Sequence, residues 1–121
     1  MWLFTNHGFF SIVQHDKRKD TLIVRARRKE HLEAYFTGYK ISYKPERDYQ
    51  YRIYTSRKNI AEFLFNFVEE IDYTNFKNSI KDEKLKSVAS MVWHNIFAGL
   101  DEGNRTVVFT PSENTWPSNK D

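Results

Sequence analysis

Apolar residues recur at three- and four-residue steps in two long stretches of this chain. Ile60, Phe63, Leu64, Phe67, Val68 and Ile71 form the first series, and Leu85, Val88, Ala89, Val92, Trp93 and Ile96 form the second. That spacing places each set on one side of an α-helix. Ser56 stands where an N-cap is needed, since its hydroxyl can accept a free first-turn N–H. The pattern therefore predicts helices over 57–71 and about 82–99, with Gly99 placed to end the second. A shorter stripe of Leu32, Tyr35 and Phe36 predicts a helix over 29–36, closed by Gly38.

Elsewhere the period is two. In TLIVRARR, residues 21–28, Leu22, Val24 and Ala26 alternate with Thr21, Ile23, Arg25 and Arg27. Residues 9–14 are rich in Phe, Ile and Val, so 9–28 reads as an antiparallel hairpin with one arginine-bearing face. A further strand is expected over 2–6, with Gly8 tolerating positive φ in the turn. Two more are expected over 39–44 and 49–54, the latter with Tyr49, Tyr51 and Ile53 on one side and Gln50, Arg52 and Tyr54 on the other. The order is β-β-β-α-β-β-α-α. An α+β fold follows, a mainly antiparallel sheet with helices packed on one face and a partly ferredoxin-like order over 21–71. The final strand of that plan is missing unless RTVVFT, residues 105–110, supplies it.

A length of 121 residues fits one domain, assigned to 1–100, followed by a Gly/Pro/Ser/Asn-rich C-terminal tail over 101–121. With 40% hydrophobic and 29% charged residues, the chain is ordinary for a globular protein. No run of apolar residues is long enough to span a membrane, and MWLFTNHGFF does not read as a signal peptide. A cytoplasmic location is expected. The lack of cysteine removes disulfides, thiol catalysis and thiolate metal sites.

Other chemistries lack their settings. The histidines at 7, 15, 31 and 94 form no metal-ligand spacing, and His31-Leu32-Glu33 only mimics the start of a zinc deaminase motif, without its cysteines. The four glycines are isolated, so no phosphate loop is formed, and no serine sits in a Gly-x-Ser-x-Gly frame. No cofactor and no catalytic residue is assigned.

Charge is more informative. Residues 1–60 hold 13 Lys/Arg against 6 Asp/Glu, or +7, and residues 61–121 hold 6 against 10, or −4. A basic half attracts anionic partners. Arg25 and Arg27, roughly 7 Å apart on one side of a strand, can span adjacent phosphates or one acidic ligand. Arg28, Arg52, Tyr49 and Tyr51 complete the candidate anion-binding set, since tyrosines can stack on bases or on guanidinium planes. The blander reading is that these arginines pair with Glu46, Asp48 or Asp72 and solvate the open sheet face. The strand lacks the Gly- and aromatic-rich motif of RNA-recognition domains. Between the two long helices, IDYTNFKNSI offers Asp72, Tyr73, Asn75 and Lys77 as a polar site. Its structural alternative is a hinge in which Asp72 or Asn75 caps a helix.

Several pieces in order, MWLF with Gly8, SIVQ at 11–14, VRAR at 24–27, DYQYR at 48–52, IDYTNFK at 71–77 and VW at 92–93, resemble a family of small uncharacterised bacterial proteins. The resemblance covers roughly residues 1–97 and implies no activity. The chain departs from it by continuing through 101–121.

Three functions remain open at this level. The preferred one is a small non-catalytic binding or adaptor module whose arginine face contacts nucleic acid or an acidic protein surface. That class includes inhibitors of larger complexes, such as phage- or plasmid-borne anti-defence proteins. The second is a small enzyme or nucleotide/small-ligand binder with a pocket of Arg25, Arg27, Asp72, Tyr73 and Lys77. The third is self-association, a homodimer driven by the charge split.

Overall fold

The computed structural model describes residues 1–101. Strands β1 (Trp2–Thr5), β2 (Gly8–Gln14) and β3 (Thr21–Ala26) are followed by helix α1 (Lys29–Glu33). Strands β4 (Ser42–Tyr43) and β5 (Tyr51–Ser56) come next, then α2 (Arg57–Glu69), α3 (Phe76–Ser79) and α4 (Glu83–Leu100). The five strands form one sheet in the order β1-β2-β3-β5-β4, antiparallel at every pairing. The α+β class expected from the periodicities is the one observed.

The ferredoxin-like portion has a specific form. β3 and β4 are both antiparallel to β5, which lies between them, so α1 links two strands of the same direction across an inserted third. β3 has β5 on one side and β2 on the other. The place beside β3 that the plan reserves for a last strand is thus taken by β2, from the start of the chain. The strand expected at 105–110, like the rest of the segment beyond Asp101, lies outside the described residues.

Strand alternation sorts the core. Phe10, Ile12, Leu22, Val24, Ala26 and Ile53 are buried together with Leu32 and Phe36 beside α1 and Ile60 on α2. Cross-strand neighbours Ile12, Val24 and Ile53 are in register, so one row of the sheet is apolar from β2 to β5. The expectation that helices cover one sheet face holds for α1 and α2. A second, smaller cluster joins Ile80, Leu85 and Ala89 to Phe76 and Phe4. Phe4 follows Leu3, which packs on the main core, so α3 and α4 engage the sheet through the opposite alternation.

Several local boundaries differ from the pattern. β5 runs to Ser56 and enters α2 without a loop, because Ser56 ends the strand and caps the helix at once, accepting the Asn59 N–H at 3.1 Å. Tyr49 precedes that strand and is freed from its alternation. Helix α1 stops at Glu33, with Ala34 as its C-cap, so Gly38 does not close it; its positive φ, 87°, belongs to the turn that follows. Gly99 does not end α4, which continues through Leu100.

Gly8 has no positive φ. Its requirement is space: a Cβ there would lie 2.7 Å from the His31 Cβ and 2.9 Å from its Cγ. The β1–β2 turn is tightened by Thr5, whose Oγ1 accepts the His7 and Gly8 N–H groups. Tyr35 donates its hydroxyl to the same oxygen at 2.8 Å, and His31 Nδ1 accepts the Phe9 N–H at 3.2 Å. The hairpin tip is thereby clamped to the α1 segment.

Candidate functional site

The register places Ser11, Arg25 and Arg52 side by side across β2, β3 and β5, with Ser42 of β4 next in the row. These residues alternate with the apolar core row, so this is the arginine-bearing side of the sheet. Arg25 and Arg52 are nonetheless only 5% exposed. Arg25 donates from Nη2 to Ser11 Oγ, and its guanidinium lies 4.8 Å from the centre of the Tyr49 ring. Arg52 donates from Nε to the Tyr49 carbonyl at 3.3 Å. Tyr49 thus serves both buried arginines, one with its ring and one with its backbone. Its place before the strand makes this possible, and it sits with Arg25 rather than with Tyr51. Tyr51 stays on the core side and packs against Tyr43, ring centres 5.1 Å apart.

Arg27 and Arg28 fall outside β3, which ends at Ala26, and both are exposed. Arg27 donates from Nη1 to the Asp48 carbonyl at 3.0 Å, which ties it to the β4–β5 turn. Arg28 pairs with Glu30 at 3.1 Å, and that hydrogen bond holds the Glu30 carboxyl below the usual carboxylate range. An exposed pair of this kind contributes little to stability. Arg25 and Arg27, expected as a pair on one face, are therefore separated by environment: one guanidinium is internal and one is in solvent.

The stretch 71–80 is a capped junction between α2 and α4. Asn75 caps α3, accepting the Asn78 N–H at 3.0 Å, and Asp82 caps α4, accepting the Leu85 N–H at 3.0 Å. The Tyr73 and Phe76 rings pack at a tilt, centres 5.9 Å apart, and Phe76 continues onto Phe4. Lys77 lies 4.8 Å over the Trp93 ring. Asp72 is exposed, and no ion pair among the described residues joins it to Arg25. Asn75 and Lys77 therefore have structural engagements of their own.

A second cationic cluster was hidden in the sequence. Arg57 at the start of α2 donates to the Lys19 carbonyl and to Gln14 Oε1, which draws the 15–20 loop against the helix. Lys17, Arg18 and Lys19 are all exposed there, with Arg57 and Lys58 beside them. The run HDKRKD was visible, but nothing local told which end of which helix it would meet.

Among the described residues, no three His, Asp or Glu side chains gather closely enough to hold a metal ion, and no helix is long and apolar enough to cross a membrane. An open apolar groove lies at the end of α4, lined by Trp93, Ile96, Phe97, Leu100 and Asp101. It contains none of the residues that the sequence pointed to as a site. Compared with protein-family models, with curated proteins and with solved structures, the chain finds no match.

Proposed function

We propose that this protein is a non-catalytic binding module for an anionic partner, and that nucleic acid fits the surface best. The supporting observation is the position of the charge surplus. Residues 1–60, which carry +7 (13 Lys/Arg less 6 Asp/Glu), build the whole sheet and the start of α2. Their exposed cations gather at the two ends of β3. Lys17, Arg18, Lys19, Arg57 and Lys58 stand at the end where β3 begins. Arg27 and Arg28 stand where it finishes, close to the β4–β5 turn.

The binding role belongs to Arg27 and Arg28 rather than to Arg25 and Arg52. A guanidinium inside the protein cannot reach a phosphate without rearrangement, whereas Arg27 is in solvent and oriented by one donor, leaving others for a ligand. Tyr43, 57% exposed on the last strand of the sheet, offers a ring near the Arg27 end, where a base can stack. Its pairing with Tyr51 holds it in place. Arg25 and Arg52 support this reading indirectly, by fixing Tyr49 and with it the turn that orients Arg27.

The test is fluorescence anisotropy with a labelled single-stranded oligonucleotide across a salt series. Binding should weaken with a log–log slope of about −0.7 per phosphate contacted. The double substitution Arg27→Glu with Arg28→Glu should weaken binding at least about tenfold and flatten that slope. Absence of binding at low salt overturns the nucleic-acid reading. Binding of a polyglutamate peptide in its place, lost in the same variant, would assign the surface to an acidic protein.

A further inference from the structure

The chain carries a surface that the basic sheet does not explain. On α4, Val88, Val92, Trp93, Ile96, Phe97 and Leu100 are 38 to 78% exposed. Only Leu85, Ala89 and Ala98 of this helix are buried. The second apolar series of the sequence is thus divided, with Leu85 and Ala89 packed against Phe4 and Phe76 and Val88, Val92, Trp93 and Ile96 exposed. Val88, Val92, Ile96 and Leu100 form one continuous ridge at four-residue steps, with Trp93 and Phe97 on the adjoining ridge. The Trp93 and Phe97 rings are stacked at 5.3 Å and 15°, and Lys77 lies over Trp93. These large rings are therefore held in place before any contact, which suits an interface anchor.

We infer that this face of α4 is the contact between two copies of the chain, paired about a two-fold axis through the 88–100 ridge. Two observations select a second copy as the occupant. The first is charge. From Ser87 to Leu100 there is no Asp, Glu, Lys or Arg, in a chain that is otherwise rich in them. A two-fold contact sets each patch against itself, so any charge near the axis meets its own sign. The ridge residues meet that condition, and the cations beside them, Lys77 over the Trp93 ring and Lys86 at the rim, lie off the 88–100 ridge through which the axis runs.

The second observation is area. Aromatic side chains carry roughly 150–250 Å² and the aliphatic ones here somewhat less, so at 38 to 78% exposure the six residues present on the order of 600 Å² of apolar surface, at the upper end of what monomers show. With the half-buried polar rim of His94, Asn95 and Lys86, the face approaches the roughly 800 Å² per partner of a standard interface. Four-step ridges of two copies can interdigitate at a crossing angle near −50°.

The contact is independent of the cationic ends of the sheet, and its apolar character separates it from a dimer held by the charge split. Light scattering coupled to size exclusion, run on the full chain over a wide concentration range at low and high salt, tests it. The expected result is a dimer mass that persists as salt rises. The exposed substitutions Ile96→Glu and Leu100→Glu should each halve the mass while leaving the circular dichroism spectrum unchanged. Arg27→Glu with Arg28→Glu should leave the dimer intact, so failure here and failure of nucleic-acid binding are distinguishable. A monomer at the highest concentration overturns the inference, as does a dimer that dissociates with salt or ignores both glutamate variants. A chain that dimerises only after residues 102–121 are removed also overturns it, since that segment would then be the occupant.

Discussion

Replacing Gly8 by alanine tests the packing of the hairpin tip on α1. Gly8 is buried and has an ordinary negative φ, so alanine meets no backbone penalty. In the unfolded chain the change is favourable, reducing conformational freedom by about 0.4–1 kcal/mol. The folded state opposes it. The new methyl would lie 2.7 Å from the His31 Cβ, 2.9 Å from its Cγ and 3.0 Å from the Phe10 Cζ. The Phe10 ring end can give a little, but His31 cannot easily withdraw. Its Cβ is fixed by α1, and its Nδ1 holds the Phe9 N–H. Overpacking of this kind costs about 1–3 kcal/mol, and losing the Phe9 hydrogen bond adds about 1–3 kcal/mol more if the imidazole swings away. With that bond lost, and after the unfolded-state gain, the net loss should be about 1–5 kcal/mol. Urea denaturation followed by circular dichroism measures it, the slope staying constant while the midpoint falls. His31→Ala would leave the nearer clashing atom in place, so His31→Gly is the informative partner. In that background Gly8→Ala should cost at least about 1 kcal/mol less than in the native chain, a coupling read by a double-mutant cycle. A Gly8→Ala variant as stable as the native protein, or a cost that stays the same in the His31→Gly background, would refute the close-approach argument.

The same geometry bears on pH and on three other positions. Burial, reinforced by Arg28, pushes the His31 imidazole below its ordinary value against the opposing pull of Glu30 and Asp82. A depressed basic group binds its proton in the unfolded chain first, so stability should fall as pH drops below about 6.5, the unfolded value; thermal midpoints between pH 7 and 5 should show this slope, and His31→Gln should flatten it. Gly38→Ala should destabilise by about 1 kcal/mol because its φ of 87° suits glycine. Gly99→Ala should instead be neutral or stabilise by about 0.5 kcal/mol, since it lies inside α4 with open space around its Cα; denaturation of the two variants should give opposite signs. Ser56→Ala should cost about 1 kcal/mol by leaving the Asn59 N–H of α2 without its cap, a loss read from the urea midpoint.

Much of the local structure could be read from the chain because it depends on neighbours a few residues away. The alternation in TLIVRA and the three- and four-step series from Ile60 are side-chain periodicities that a strand and a helix impose directly. The caps at Ser56 and Asn75 needed only a short polar side chain within reach of an N–H three residues on. Boundaries were less legible. Tyr49 fits an extended alternation with Tyr51, yet it lies before β5, where its ring packs on Arg25 from another strand. Gly99 fits a helix end, but backbone bonding carried α4 past it.

Composition and periodicity are enough to specify an α+β domain with a basic sheet-forming half and two long amphipathic helices, since burial of apolar faces leaves few ways to combine such elements. They are not enough to say which arginines face water. Arg25 and Arg27 share one side of the same pattern, but Arg25 has strands on both sides and Tyr49 over it, while Arg27 emerges beyond the last ladder pair. That difference comes from strand pairing between distant segments. Packing likewise left four of the six residues of the α4 stripe outside. An apolar series states that a face needs covering; what covers it depends on where the sheet ends, and β1 presents only Phe4 to the first turns of that helix.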